Sequence, residues 1–220
     1  MILSHKYKFI FIKAGRAAGT STELALSTIC GPHDIITPTT DEHIRREIGG
    51  AAPQNCLKTG SRGYEHPNDR DNLLFYNHIG AGDIRALVGA ETWDAYFKFC
   101  IVRNPWDRAI SACFFVTKGP RPPISAFLAS PGNAGFLTDW RRYTINDRVA
   151  VDHVAKYEDL QVELDEIGER LGFPHRLRLP MAKAGHRTDR RPYREVLSDA
   201  DALRIAEVCG REIKEFGYRF

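Results

Sequence analysis

Two short stretches carry side chains and spacings suited to holding an anion. In Gly15-Arg16-Ala17-Ala18-Gly19-Thr20-Ser21, small residues let successive backbone N–H groups turn inward. The first turn of a following helix adds donors that have no intrahelical partner, so a phosphate or sulfate group can be cradled there. The stretch is not a Walker A loop: its glycines stand one position too close, and no lysine precedes Thr20. That disfavours a nucleoside triphosphate kinase. A plain strand-to-helix turn is the alternative explanation of the glycines. The second stretch is Arg103-Asn104-Pro105-Trp106-Asp107-Arg108-Ala109-Ile110-Ser111. An arginine at a strand end, with a serine about two helical turns on, can bracket a phosphate with a charged fork and a hydroxyl. A kinase would want a metal-binding aspartate at such a strand end, and arginine stands there instead. The alternative for Arg103 is a surface ion pair with Asp107 or Asp94.

Each stretch needs a strand before it and a helix after it, and the pattern predicts both. Tyr7 to Ile12, aromatic and β-branched, reads as a buried strand. Thr20-Ser21-Thr22-Glu23 has the form of a capping box, and Leu24, Leu26 and Ile29 continue a helix that Gly31-Pro32 ends. Tyr96 to Val102 reads as a second buried strand, with Asn104 as N-cap, Pro105 as first helical residue and Asp107 as a favourable first-turn acid. That helix is expected to run to about Lys118. At ~100° per residue Trp106, Ile110 and Cys113 share one stripe, while Arg108 and Ser111 lie on another face, which leaves Ser111 to meet a ligand.

The remaining elements follow the same logic. Pro32 to Asp71, rich in Gly, Pro, Asn and Asp, reads as a surface insert over the site with a short helix near Asp41 to Ile48. A strand is predicted at Leu73 to Tyr76, then a helix from Ala81 to Leu87 ending near Gly89. Beyond the Gly119 to Pro123 break come a helical piece around Leu137 to Tyr143, a strand over Val151 to Tyr157, and a helix over Leu160 to Leu171. A basic loop, Lys183 to Arg194, precedes a last helix from about Ser198 to Phe216, with Asp199 and Asp201 in its first turn. Strands alternating with helices predict a parallel sheet covered on both faces, which binds ligands at the carboxyl ends of its strands.

Composition narrows the classes. A chain of 220 residues that is 43% hydrophobic and 27% charged is an ordinary globular sequence and not a disordered, collagen-like or coiled-coil one. Lys and Arg total 31 against 28 Asp and Glu, and a net charge of +3 is too weak a field to argue for a nucleic-acid partner. The longest apolar run, Ala112 to Val116, falls far short of the ~20 residues of a membrane helix. The amino terminus lacks the long apolar core of a secretory signal, so no membrane association and a cytoplasmic location are expected. Cys30, Cys56, Cys100, Cys113 and Cys209 are scattered without CxxC spacing and read as reduced, mostly buried thiols.

Together the two loaded stretches resemble the sulfotransferase family, in the branch that contains carbohydrate O-sulfotransferases and many small bacterial relatives. Phe9 to Ser21 matches the family's 5′-phosphosulfate loop, usually a strand followed by P-K-T-A-G-T-S. Phe97 to Ser111 matches its 3′-phosphate segment, R-N-P-[WY]-D-R-x-x-S. Similarity continues through Asp34-Ile35-Ile36-Thr37-Pro38, Asn77-His78, Lys156-Tyr157-Glu158-Asp159-Leu160 and Phe216-Gly217-Tyr218. The resemblance implies a single sulfotransferase domain over residues 1–220, folded as a P-loop-like three-layer α/β sandwich with a central parallel β-sheet. It implies 3′-phosphoadenosine 5′-phosphosulfate (PAPS) as donor and adenosine 3′,5′-bisphosphate (PAP) as product. The sulfate end would lie on Arg16, Ala17, Ala18, Gly19, Thr20 and Ser21, the 3′-phosphate on Arg103 and Ser111, and no metal would be needed.

One departure bears on chemistry. Where the family usually has Pro-Lys, this chain has Gly15-Arg16. The family's lysine steadies the leaving phosphate; Arg16 keeps the charge but is bulkier and forked, so activity could be slowed or Lys13 could share the role. Gly15 gives up the rigid φ of proline and makes room for the arginine.

An acceptor losing a proton as it attacks sulfur needs a general base, and His78 is the candidate, since relatives carry a candidate base at the Asn77-His78 position. Its alternative is a structural histidine capping the next element; Glu65 and His66 are weaker candidates for the base. The run His186-Arg187-Thr188-Asp189-Arg190-Arg191 reads as a solvated basic loop, or as a closure over the nucleotide or an anionic acceptor. Trp93, Trp106 and Trp140 read as core or pocket wall, and Trp140 alone could serve as a sugar platform. The expected reaction moves a sulfuryl group to a hydroxyl or amine of a carbohydrate or small metabolite, with His78 and Arg16 catalytic. Two alternatives stay open: a relative that holds the nucleotide without catalysis, and a P-loop small-molecule kinase.

Overall fold

The computed structural model describes residues 1–117, 120–182 and 187–220. Along the chain run β1 (Ile2–Ser4), β2 (Phe9–Ile12), α1 (Gly19–Ser27), β3 (Ile35–Ile36), α2 (Glu42–Glu47), α3 (Ala81–Ala95), β4 (Phe97–Val102) and α4 (Pro105–Val116). They are followed by α5 (Ile124–Ala129), α6 (Trp140–Tyr143), β5 (Thr144–Ile145), β6 (Arg148–Val149), β7 (His153–Lys156), α7 (Leu160–Leu171), α8 (Tyr193–Val196) and α9 (Asp199–Phe216). The described residues pack as two compact units. Met1–Ala14, Ala18–Val102 and Arg141–Ala182 contribute to the first, and Gly15–Ala17, Arg103–Trp140 and Lys183–Phe220 to the second.

The first unit is α/β. Its five-stranded sheet has the order β3-β1-β2-β4-β7. β2, β4 and β7 run parallel, with Phe9 opposite Phe97 and Phe99 opposite His153. All four residues of β2 are buried, as expected of a strand covered on both faces. The sheet is nevertheless mixed and not wholly parallel, because β1 is antiparallel to both β2 and β3. The turn between β1 and β2 explains this: residues 5–8 suffice for a hairpin, whereas a parallel neighbour needs a crossover of a dozen residues or so. Ile2-Leu3 is too short an apolar pair to announce a strand by pattern.

Two other expectations change. Leu73 to Tyr76 is not a ladder strand. Only Leu73 bridges, to Leu57, because the Leu73 amide donates to the Asp69 carbonyl and those of Leu74 and Phe75 to Cys56. Thr20 does not cap α1, which starts at Gly19 after Ala18 with no side-chain cap. Glu23 instead enters a buried ion cluster, 2.7 Å from Lys13 Nζ and 3.6 Å from Arg45 Nη2. Burial alone would push its carboxyl up, but Lys13, the Met1 amine and Arg45 hold it down at about 2. α3, by contrast, is two helical pieces: Gly89, with a φ of 81° and a ψ of 160°, ends the first where the sequence expects it to end, and the second runs on to Ala95.

The second unit is helical. The Asn104 side chain accepts from the amides of Trp106 and Asp107 at 3.0 and 3.3 Å, fixing the start of α4 as its sequence predicts. Trp106, Ile110 and Cys113 face a core shared with Phe127, Ile205 and Cys209. Ser198 and Asp201 form a capping box on α9. The five cysteines are unbridged and four are buried; burial pushes the thiols of Cys56 and Cys209 up to about 11. Among the described residues no helix is long and apolar enough to cross a membrane.

Candidate functional site

In the second unit Gly15–Ala17, from the first loaded stretch, meets the second stretch. Arg16 has a φ of 56°, a left-handed conformation that costs on the order of 1–3 kcal/mol and persists only where surrounding contacts enforce it. Two such contacts bracket it: the Gly15 amide donates to Asp139 Oδ2 at 2.9 Å, and the Arg16 carbonyl accepts from Arg103 Nη1 at 2.9 Å. The Arg16 guanidinium donates through Nε and Nη2 to Ser111 Oγ, both at 3.3 Å. Its Cζ lies 4.2 Å from the centre of the Phe115 ring. Ser111 and Phe115 are one helical turn apart on α4, so a planar guanidinium can stack on one while bonding the other, which an ammonium cannot.

Arg103 does form the ion pair named as its alternative. Its Nε and Nη2 stand 2.7 and 2.6 Å from Asp107 Oδ2. Arg187 Nη1 reaches the other carboxylate oxygen at 2.5 Å and is held in turn by the Asp189 and Arg191 carbonyls. Burial opposes the charge on Asp107, but Arg103 and Arg187 outweigh it and hold the carboxyl below the usual range. Arg103 and Arg187 thus share the Asp107 carboxylate, and with Arg16 and Asp139 the cluster holds three guanidinium groups against two carboxylates. Arg187 belongs to this cluster and is not merely part of a solvated loop; His186 lies outside the described residues.

The first unit holds the other candidates. Ala18, with a φ of 55°, precedes α1, whose first turn is Gly19, Thr20 and Ser21. Gly19 is required there: a Cβ would lie 2.8 Å from the Ala14 carbonyl oxygen and 2.8 Å from Lys13 Cγ. Lys13, considered as a partner for Arg16, is 1% exposed and paired with Glu23. His78 also has a left-handed φ, 60°. Its Nδ1 stands 3.1 Å from the Lys13 carbonyl, and its own carbonyl accepts from Arg142 Nη1.

A carbonyl only accepts, so Nδ1 carries the proton and Nε2 keeps a lone pair. Burial is the main reason that the imidazole is pushed down to about 3, with the charges of Lys13 and Arg142 adding to it. His78 is therefore neutral near pH 7, in the tautomer a base requires. Glu65 and His66 instead turn on a loop around Asp69, which accepts the Glu65 amide at 3.0 Å. Trp93 and Trp106 are buried, and Trp140 packs against Phe216.

Reading the sequence missed Asp139 and Phe115. The i+4 spacing from Ser111 was a signal for Phe115; nothing near Asp139 pointed to Gly15.

No family model matches the chain. No solved structure matches it. A protein of Archaeoglobus fulgidus described as uncharacterized is 28% identical over 100 residues, 43% of this chain and 82% of that relative.

Proposed function

We propose that the chain is a PAPS-dependent sulfotransferase, with residues 1–220 forming one P-loop-like sulfotransferase domain. One observation carries the reading. Arg16 and the pair Arg103 and Ser111, assigned by resemblance to opposite ends of one donor, join in a hydrogen-bonded cluster. That cluster has excess positive charge and a strained turn, the attributes of a site for a polyanion. The resemblance assigns the sulfate end to the amides of Gly19, Thr20 and Ser21 and the 3′-phosphate to Arg103 and Ser111, and each set taken by itself offers donors of the type its share needs.

When bound, the donor supplies an activated sulfuryl group. Ser111 binds and orients the 3′-phosphate through its hydroxyl. Arg16 exchanges Ser111 for the donor and neutralises charge on the leaving phosphate. His78 takes the acceptor's proton at Nε2, and a nearby polyanion raises its proton affinity from the depressed value of the unliganded protein. The acceptor in this reading is a hydroxyl or amine of a carbohydrate or small metabolite. The engagement of Arg16 by Ser111 also favours a second reading, a nucleotide-binding relative without turnover.

Calorimetric titration with adenosine 3′,5′-bisphosphate, 5′-AMP and ATP with magnesium tests the first step. The expected result is a preference for the bisphosphate that Arg103→Ala weakens by about 10- to 100-fold, the range for a charge-assisted hydrogen bond. No bisphosphate binding, or a preference for ATP, overturns both readings. Transfer of labelled sulfate from PAPS to an acceptor panel separates the first from the second.

A further inference from the structure

The carboxylate that receives the Gly15 amide is itself held. Arg108 on α4 pairs with Glu212 on α9, through Nη1 at 3.1 Å and through Nη2. Arg108 Nη1 also stands 3.9 Å from Asp139 Oδ2. The Asp139 amide donates to Glu212 Oε1 at 3.2 Å, and Arg108 Nη2 reaches the Leu137 carbonyl. Arg108 and Glu212 are 1% and 2% exposed. A continuous polar chain therefore runs from two helices through Asp139 to Gly15, the residue before Arg16.

Gly15 and Asp139 are matched. Proline, usual at this position in the resembled loop, has no amide hydrogen to donate. Any Cβ at Gly15 would sit 3.3 Å from Asp139 Oδ2, closer than an ordinary contact. Glycine at this position is what lets the carboxylate approach.

We propose that Asp139 is a positioning residue for Arg16. Its carboxylate, faced by Arg108 while Glu212 holds the Asp139 backbone amide, fixes the Gly15 amide and with it the left-handed turn that presents the guanidinium, doing here what the rigid φ of proline does in the resembled loop. What Arg16 is presented to rests on the sulfotransferase reading; the hold on the turn does not.

Two readouts test it on the full chain. In Asp139→Ala, hydrogen exchange at the Gly15 and Arg16 amides is expected to quicken at least ~10-fold, with kcat falling about 10- to 100-fold while KM for the donor changes less than about threefold. In Asp139→Asn the side-chain oxygen still accepts the Gly15 amide, so protection and turnover should stay within about threefold of wild type. A merely electrostatic partner of Arg108 would make the two variants equally poor. Should Asp139→Ala fail to fold, Gly15→Ala, whose Cβ would stand 3.3 Å from Asp139 Oδ2 and press the carboxylate away from the amide, must likewise quicken Gly15 and Arg16 exchange and lower kcat. Unchanged exchange, a loss confined to KM, or an Asp139→Asn as damaged as Asp139→Ala overturns the proposal. Wild-type protein that transfers no sulfate defeats the functional reading alone, and the exchange comparison still decides the role of Asp139.

Discussion

The state of His78 makes stability depend on pH in a window where most histidines would not matter. Above pH 6.5 the side chain is neutral in both the folded and the unfolded chain. As pH falls, the unfolded chain takes up a proton at the ordinary value of 6.5, while the folded one resists until about 3. The unfolded state binds more protons across that window, so stability is lost as pH drops through it. At 1.36 kcal/mol per pH unit the loss reaches about 2 kcal/mol by pH 5. His78→Asn isolates the effect. Asparagine tolerates the φ of 60°, its amide can still donate to the Lys13 carbonyl, and it has no proton to gain. Urea unfolding followed by circular dichroism at pH 7 and pH 5 should show wild type losing about 2 kcal/mol more than the variant, all other titrating groups being common to both. Parallel losses, within about 0.5 kcal/mol, would refute both the burial argument and the neutral tautomer assigned to the site.

Further expectations concern the scaffold. Glu212→Ala leaves the Arg108 guanidinium buried without its main partner and should cost about 3–5 kcal/mol in denaturant unfolding, whereas Arg108→Met with Glu212→Leu should cost much less; equal losses would show that charge is not the issue. Asn104→Ala should cost about 1 kcal/mol by loss of the α4 cap, and a neutral variant would mean that Pro105 alone sets the helix start. Gly19→Ala forces a methyl against the Ala14 carbonyl; about 1–3 kcal/mol of destabilisation is expected, and wild-type stability would show that the turn has slack.

Strands and helices announced themselves where one local rule dominated. Apolar and aromatic runs marked β2 and β4, the spacing of Leu160, Leu164, Ile167 and Leu171 marked α7, and Asn104-Pro105 fixed the start of α4 to the residue. Misreadings arose where a distant partner outbid the local rule. Glu23 had the spacing of a capping box, yet Lys13, just past β2, and Arg45 on α2 took its carboxylate. Leu73 to Tyr76 had strand composition, but Asp69 and Cys56 had already taken its amides. In the candidate site, the types and spacing of Arg16, Arg103 and Ser111 single them out in the sequence, and the structure brings the three together. Asp139 was not legible there: its role is defined by a backbone amide on another segment, and no spacing rule encodes that.

The short piece Gly15–Ala17 packs with segments that follow it far along the chain. Ser111 and Asp139 lie 95 and 124 residues beyond their partners Arg16 and Gly15. At ~5–20 residues per second of synthesis, Asp139 leaves the ribosome roughly 6 to 25 seconds after Gly15. Such non-local closures are slow and come late. The β2 strand can pair while the nascent chain is still short, but the arginine turn that follows it is settled only after Asp139 has emerged. A fragment stopping before Asp139 would therefore carry Gly15, Arg16 and Ala17 without the carboxylate that fixes their turn, and the arginine cluster depends on residues made long after it.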